Sequence, residues 1–183
     1  AHPGRMAALL GATIEQAEEA CAAAPDACWV ANDNAPGQVV VAGTSDGIEA
    51  ASARAKELGV KRAMPLNVGG AFHTPLMDDA SAALAGDVLP DLELHAPTAP
   101  VVSNHDGAAY DDGNGWRDRL AQHVAVPVRW RPSQATIAGL GATTCLEVGH
   151  GSMLAALAKR TIPDVSVRGV ATPSDLPALS EVS

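Results

Sequence analysis

The sequence predicts an α/β protein in two parts. Residues 4–67 fit a β-α-β-β-α-β unit, the ferredoxin-like pattern, and the remainder alternates strands with helices. Three observations carry this reading. Short apolar runs bounded by turn residues recur at Arg5–Leu10, at Val39-Val40-Val41 and at Thr143–Val148. Between them lie stretches with helical spacing, such as Ile48, Ala51, Ala55 and Leu58. Pro and Gly punctuate the joints.

In order, residues 5–10 read as a buried strand ending at Gly11. Thr13 and Gln16 have capping-box spacing, and Ile14, Ala17, Cys21 and Ala24 share a helical face that Pro25 ends. Residues 28–33 read as a strand, Asn34-Ala35-Pro36-Gly37 as a four-residue turn, and the β-branched run after it as the returning strand. A second helix ends at Gly59, and residues 61–67 make a fourth strand that Pro65 assigns to an edge or bulge.

Thr74 suits an N-cap and Pro75 a first helical position, so Leu76, Met77, Ala80, Ala83, Leu84 and Val88 predict one helix over 75–89 with an apolar face. Next come a strand at 100–103, a helix facing inward through Trp116, Leu120, Ala121 and Val124, and a helix over 132–139. A strand at 143–148 follows, then a helix facing inward through Met153, Leu154, Leu157 and Ala158, and a strand at 165–171. Such alternation implies a parallel sheet. The tail from Thr172 is expected to fray.

Composition removes several function classes. The chain has 183 residues, is 47% hydrophobic and carries a formal charge of −9, which makes nucleic acid a poor partner. No apolar run reaches the roughly 18 residues of a membrane span. Ala1-His2-Pro3-Gly4-Arg5 is no signal peptide, and the absence of an initiating Met suggests a start inside a longer gene. Cys21, Cys28 and Cys145 form no Cys-x-x-Cys pair, which argues for reduced thiols in a cytoplasmic setting; the six His show no metal-ligand spacing.

His73 stands just before the Thr74-Pro75 helix start, near a positive helix end that disfavours imidazolium and suits a general base. Gly43-Thr44-Ser45-Asp46-Gly47 fits a Gly-x-Ser-x-Gly nucleophile elbow, but its Thr, Ser and Asp are also ordinary helix caps.

Gly70-Ala71-Phe72-His73-Thr74-Pro75-Leu76-Met77 closely resembles the active-site histidine motif of malonyl-CoA:acyl carrier protein transacylases. Asn32-Asp33-Asn34-Ala35-Pro36-Gly37-Gln38 resembles the family's Asn-x-Asn-x-Pro-Gly-Gln hairpin. Pro127-Val128-Arg129-Trp130 and Glu147-Val148-Gly149-His150-Gly151 resemble two later signatures, in the family's order. The resemblance implies a ferredoxin-like small subdomain at 1–67 and, at 68–183, the C-terminal part of an α/β-hydrolase-like domain. It further implies ping-pong transfer of malonyl from CoA through a serine to carrier-protein phosphopantetheine, in fatty-acid synthesis, without a cofactor.

Residue by residue, the resemblance makes His73 the acid–base group, oriented by the backbone carbonyl of Gln122. Phe72 would favour malonyl over methylmalonyl by filling space, and Asn32, Gln38 and Asn104 would contact substrate. His150 stands where the family often has Pro and reads as a loop residue. An acidic carrier protein would need a local basic patch, for which Lys61-Arg62, Lys159-Arg160 and Arg129 with Arg131 are candidates. The family's nucleophilic Ser and carboxylate-binding Arg find no match, so the expectation is a missing N-terminal half and an inactive 183-residue chain.

Overall fold

The computed structural model describes residues 4–176; the residues at either end, including most of the tail expected to fray, lie outside the described residues. It is a mixed α/β structure with several sheets, and its contacts divide it into a unit ending at Ser133 and a unit beginning at Gln134.

The first unit is built on a four-stranded sheet. Its strands are β1 (Arg5–Leu10), β2 (Cys28–Ala35), β3 (Gln38–Gly43) and β4 (Arg62–Pro65), in the order β2-β3-β1-β4, all neighbours antiparallel. Helices α1 (Ile14–Cys21) and α2 (Ser45–Glu57) connect them. Side chains of a strand alternate between faces. Ala7, Leu9, Val39 and Val41 pack with Ala17, Ile48, Ala51 and Ala55 of the helices in one buried cluster. Met6, Ala8, Val40 and Ala42 point the other way and pack with Ala31 and Ala71. The central strands are therefore apolar without interruption because both faces are covered.

Local signals work as expected at α1. Thr13 Oγ1 accepts from the Gln16 amide at 3.2 Å while Gln16 Oε1 accepts from the Thr13 amide at 2.9 Å. The Gln16 side chain also donates to the Leu58 carbonyl at 2.9 Å, which ties α1 to the end of α2. The hairpin turn is tighter than its sequence suggests. Ala35 pairs directly with Gln38, so only Pro36 and Gly37 turn, with Gly37 at φ 72°. Bulges between Val30 and Asn32 and between Asp33 and Ala35 let β2 run to the turn despite its polar residues.

By its contacts, segment 68–133 belongs with the first unit. Ala71 is buried in the second face of the sheet, and Val128 is bonded along β2 through its amide to Ala31 (2.8 Å) and its carbonyl to Asp33 (2.9 Å). The expected single helix over 75–89 is a broken one. A 3-10 turn (Pro75–Met77) leads to α3 (Asp78–Ala83), a π turn (Leu84–Val88) and a second 3-10 turn (Leu89–Asp91). Gly86 and Pro90 deny it a regular continuation. Its apolar stripe is not a core face either, since Ala80, Ala83 and Val88 are exposed. The expected strand at 100–103 is one arm of a short antiparallel hairpin, β5 (Val101–Val102) with β6 (Ala109–Tyr110). Helix α4 (Trp116–His123) buries Ala121 but leaves Leu120 exposed.

Helix α5 (Trp130–Gly139) carries the boundary. The second unit then forms a β-α-β turn: β7 (Thr144–Val148), α6 (Met153–Thr161) and β8 (Ser166–Val170), the strands parallel. Ala158, Ile162 and Val165 pack with Ala138, Cys145 and Val167. The Glu147 carboxylate accepts from the amides of Leu154 and Ala155, both at 2.9 Å, and so caps α6. Met153 and Leu154, expected to face inward, are exposed.

Candidate active site

The loop around His73 is pinned on both sides. Ala71 is buried against the sheet, and a side chain at Gly4 would collide with it. Thr74 is 1% exposed; its hydroxyl donates to the Ala71 carbonyl at 2.7 Å and accepts from the Leu76 amide at 3.3 Å. Between these anchors His73 takes φ 62°, a left-handed conformation that a side-chain-bearing residue adopts only when its surroundings impose it.

The imposing contacts come from the end of α4. The His73 amide donates to the Val124 carbonyl at 3.1 Å, and His73 Nδ1 meets the His123 carbonyl at 2.9 Å. A carbonyl only accepts, so Nδ1 carries a hydrogen, and in the neutral ring Nε2 keeps its lone pair. The carbonyl that orients the ring is thus that of His123, not that of Gln122. The reason is the helix end. Gln122's carbonyl is already taken by the amides of Val124 and Ala125, whereas the next carbonyl projects beyond the last turn.

His73 borders a cavity of about 590 Å³, together with Cys21, Cys28, Trp29, Pro75 and Pro127. The His123 ring lies 5.1 Å from that of His73, tilted by 39°. Burial first, then the neighbouring His73 and His105, pushes the His123 pKa below its ordinary value. Its Nε2 is buried without a partner, and His105 Nε2 pairs with Gln122 Oε1 at 3.1 Å. Neither His123 nor His105 stood out in the sequence, because no regular spacing links them to His73.

The other expected residues scatter. Phe72 is 43% exposed and lies over Gly70; it is not among the residues lining the His73 cavity. Asn104 ties its loop to the segment that opens α5: its carbonyl accepts from the Arg129 amide at 2.9 Å, and its Oδ1 lies 3.2 Å from the Ser133 hydroxyl, which is 2.7 Å from the Arg129 carbonyl. Asn32 and Gln38 are half-buried on the β2–β3 hairpin. Arg131 is committed to Asp33, with Nε and Nη2 on the carboxylate at 2.8–3.0 Å. Lys61, Arg62, Lys159 and Arg160 are exposed, as is His150 between Gly149 and Gly151.

Ser45 is the first residue of α2, capped by Thr44. It lines a different cavity, with Arg5 and Glu49, that His73 does not reach. The glycines of its apparent elbow serve close packing instead, since a side chain at Gly43 or Gly47 would run into the Ala27 carbonyl. Among the described residues, no group of three or more His, Cys, Asp or Glu is placed to hold a metal, and no helix is long and apolar enough to cross a membrane.

Within this mixed α/β fold, one His73 ring nitrogen is fixed on a backbone carbonyl and the ring borders a cavity. No protein-family model matches the chain. It is similar to the malonyl CoA-acyl carrier protein transacylase of Synechocystis sp., 37% identical over 96% of this chain and 58% of that protein. The crystal structure of malonyl-CoA:acyl carrier protein transacylase from Xanthomonas oryzae matches with a TM-score of 0.90 at 36% identity, over 98% of this chain and 58% of that one. A malonyl-transacylase in complex with a type II PKS acyl-carrier protein matches with a TM-score of 0.91 at 35% identity, over 98% of this chain and 59% of that one. The chain is thus similar over nearly all of its own length to malonyl-CoA:acyl carrier protein transacylases, and it spans about 58% of the length of the curated relatives it matches.

Proposed function

We propose that this chain supplies the acid–base half of a malonyl-CoA:acyl carrier protein transacylase active in the cytoplasm in fatty-acid synthesis. The observation that supports it most is the His73 Nδ1 to His123 carbonyl bond of 2.9 Å, which leaves Nε2 to accept a proton. In this reading a serine attacks the malonyl thioester and His73 takes its proton, then returns it to the departing CoA thiol. The same ring next deprotonates the phosphopantetheine thiol of the carrier protein. No cofactor enters. In this reading the nucleophile lies in the part of the longer relatives that this chain does not match, and the 183-residue chain alone is inactive.

The same reading takes residues 1–67 as a ferredoxin-like small subdomain and 68–183 as the C-terminal part of an α/β-hydrolase-like domain. The β2-β3-β1-β4 antiparallel order supports the first assignment. Phe72 biases the site toward malonyl, Asn32 and Gln38 contact substrate, and exposed Lys61, Arg62, Lys159 and Arg160 receive the acidic carrier protein. The test is a chimera in which this chain replaces the matching part of the Synechocystis relative. Malonyl transfer from CoA to carrier protein by the chimera, lost on His73→Ala and absent from the chain alone, is the expected result. Transfer unaffected by His73→Ala overturns the reading.

A further inference from the structure

Two of the cysteines stand outside the proposed chemistry, yet they are paired. Cys21 ends α1 and Cys28 opens β2, and their sulfurs lie 3.6 Å apart. Both are nearly buried, at 8% and 3% exposure, but both line the cavity that His73 borders, which gives a small molecule a route to them. The backbone between them turns through Asp26 at φ 57°, so a short irregular loop, not a helix or strand, joins the two thiols. Bringing the sulfurs to disulfide distance needs a movement of about 1.5 Å.

We propose that Cys21 and Cys28 form a modification site, a dithiol that the small neutral oxidant hydrogen peroxide closes into a reversible disulfide on the wall of the His73 cavity. The two thiols have unequal parts. The contact between the two sulfurs, in which either can donate, and the Trp29 amide push the Cys28 pKa down. The same contact, then burial, pushes that of Cys21 up. Cys28 is accordingly the attacking sulfur. Its thiolate attacks one peroxide oxygen; an S–O bond forms, the O–O bond breaks, and the departing hydroxide takes a proton to leave as water. Cys21 then attacks the Cys28 sulfenic acid. The S–S bond forms, the S–O bond breaks, and the Cys21 proton leaves with the hydroxyl as a second water. The sulfurs lose two electrons and the peroxide gains them. Glu18 and Asp26 line the same cavity, which selects against anionic oxidants such as glutathione disulfide. This inference does not depend on the proposed transacylase chemistry.

The experiment treats the reduced, folded 183-residue chain with hydrogen peroxide at neutral pH, blocks remaining thiols with iodoacetamide and maps the digest by mass spectrometry. The expected result is a Cys21–Cys28 linkage with a mass loss of about 2 Da, formed about tenfold faster than any oxidation of Cys145 and reversed by dithiothreitol. In Cys21→Ser, Cys28 should instead be trapped by dimedone as the sulfenic acid. If that variant fails to fold, the mapping of the parent chain decides alone. Cys145 reacting first, or Cys21 and Cys28 both alkylated after peroxide, overturns the proposal. So does equal closure by glutathione disulfide and peroxide at the same concentration.

Discussion

His73 is held in its left-handed backbone conformation by two contacts, its amide on the Val124 carbonyl and its Nδ1 on the His123 carbonyl. In the proposed chemistry the His73 side chain serves proton transfer more than packing. In the active chimera, His73→Ala should lower malonyl transfer by roughly 10²–10⁴ with little change in melting temperature, read by steady-state kinetics beside thermal unfolding. If Phe72 has its proposed part in selecting malonyl, Phe72→Ser should keep much of the malonyl rate while raising use of methylmalonyl-CoA; unchanged selectivity would instead match its exposed place outside the residues that line the His73 cavity. His123 makes a pH prediction. Its folded pKa is lowered from 6.5, so the folded state binds fewer protons there than the unfolded state. Its contribution to stability is complete above the unfolded value and falls as the pH drops below about 6.5 toward the folded value. Melting temperatures measured from about pH 7.5 to about pH 5 should therefore fall less in His123→Gln than in the parent chain.

Elements are positioned by close contacts that single residues control. α2 starts against the Ala27 carbonyl because Gly43 and Gly47 present no side chain there. Gly47→Ala should cost about 1–3 kcal/mol by forcing the two apart, whereas Ser45→Ala should stay within about 0.5 kcal/mol. Urea denaturation separates these outcomes, and the contrast distinguishes a packing motif from a nucleophile elbow. On the other side of the unit, the segment containing Val128 covers the edge of β2, and Arg131 locks it through Asp33. The Asp33 side chain is 12% exposed and that of Arg131 39%. Arg131→Met should leave the carboxylate unpaired and cost about 1–3 kcal/mol, below the cost for a fully buried pair because solvent reaches the guanidinium.

For the whole molecule, the second unit raises a question of partners. Parallel strands are ordinarily covered on both faces. Here Val148 is 79% and Met153 72% exposed, with Leu146 and Leu154 exposed beside them in sequence. An apolar surface of this kind drives association. The purified chain should show concentration-dependent self-association by sedimentation, and Val148→Lys with Met153→Glu should reduce it without lowering the melting temperature.

Capping pairs, β-branched runs and Gly or Pro stops act over a few residues. Strands β1 to β4 and helices α1 and α2 were therefore legible in the amino-acid order, and so was His73 before a helix start. Features that depend on distant segments became visible only in the folded chain. The Gln122 assignment missed by one residue because only the way α4 ends shows which carbonyl is free. The apolar spacing at 75–89 and in α6 described periodicity, but burial depends on what packs against each element, and Ala80, Ala83 and Met153 stay exposed. The Cys21–Cys28 pair and the His73–His123 contact were invisible for the same reason. Side chains that meet across a turn or between loops leave no periodic trace in the chain that carries them.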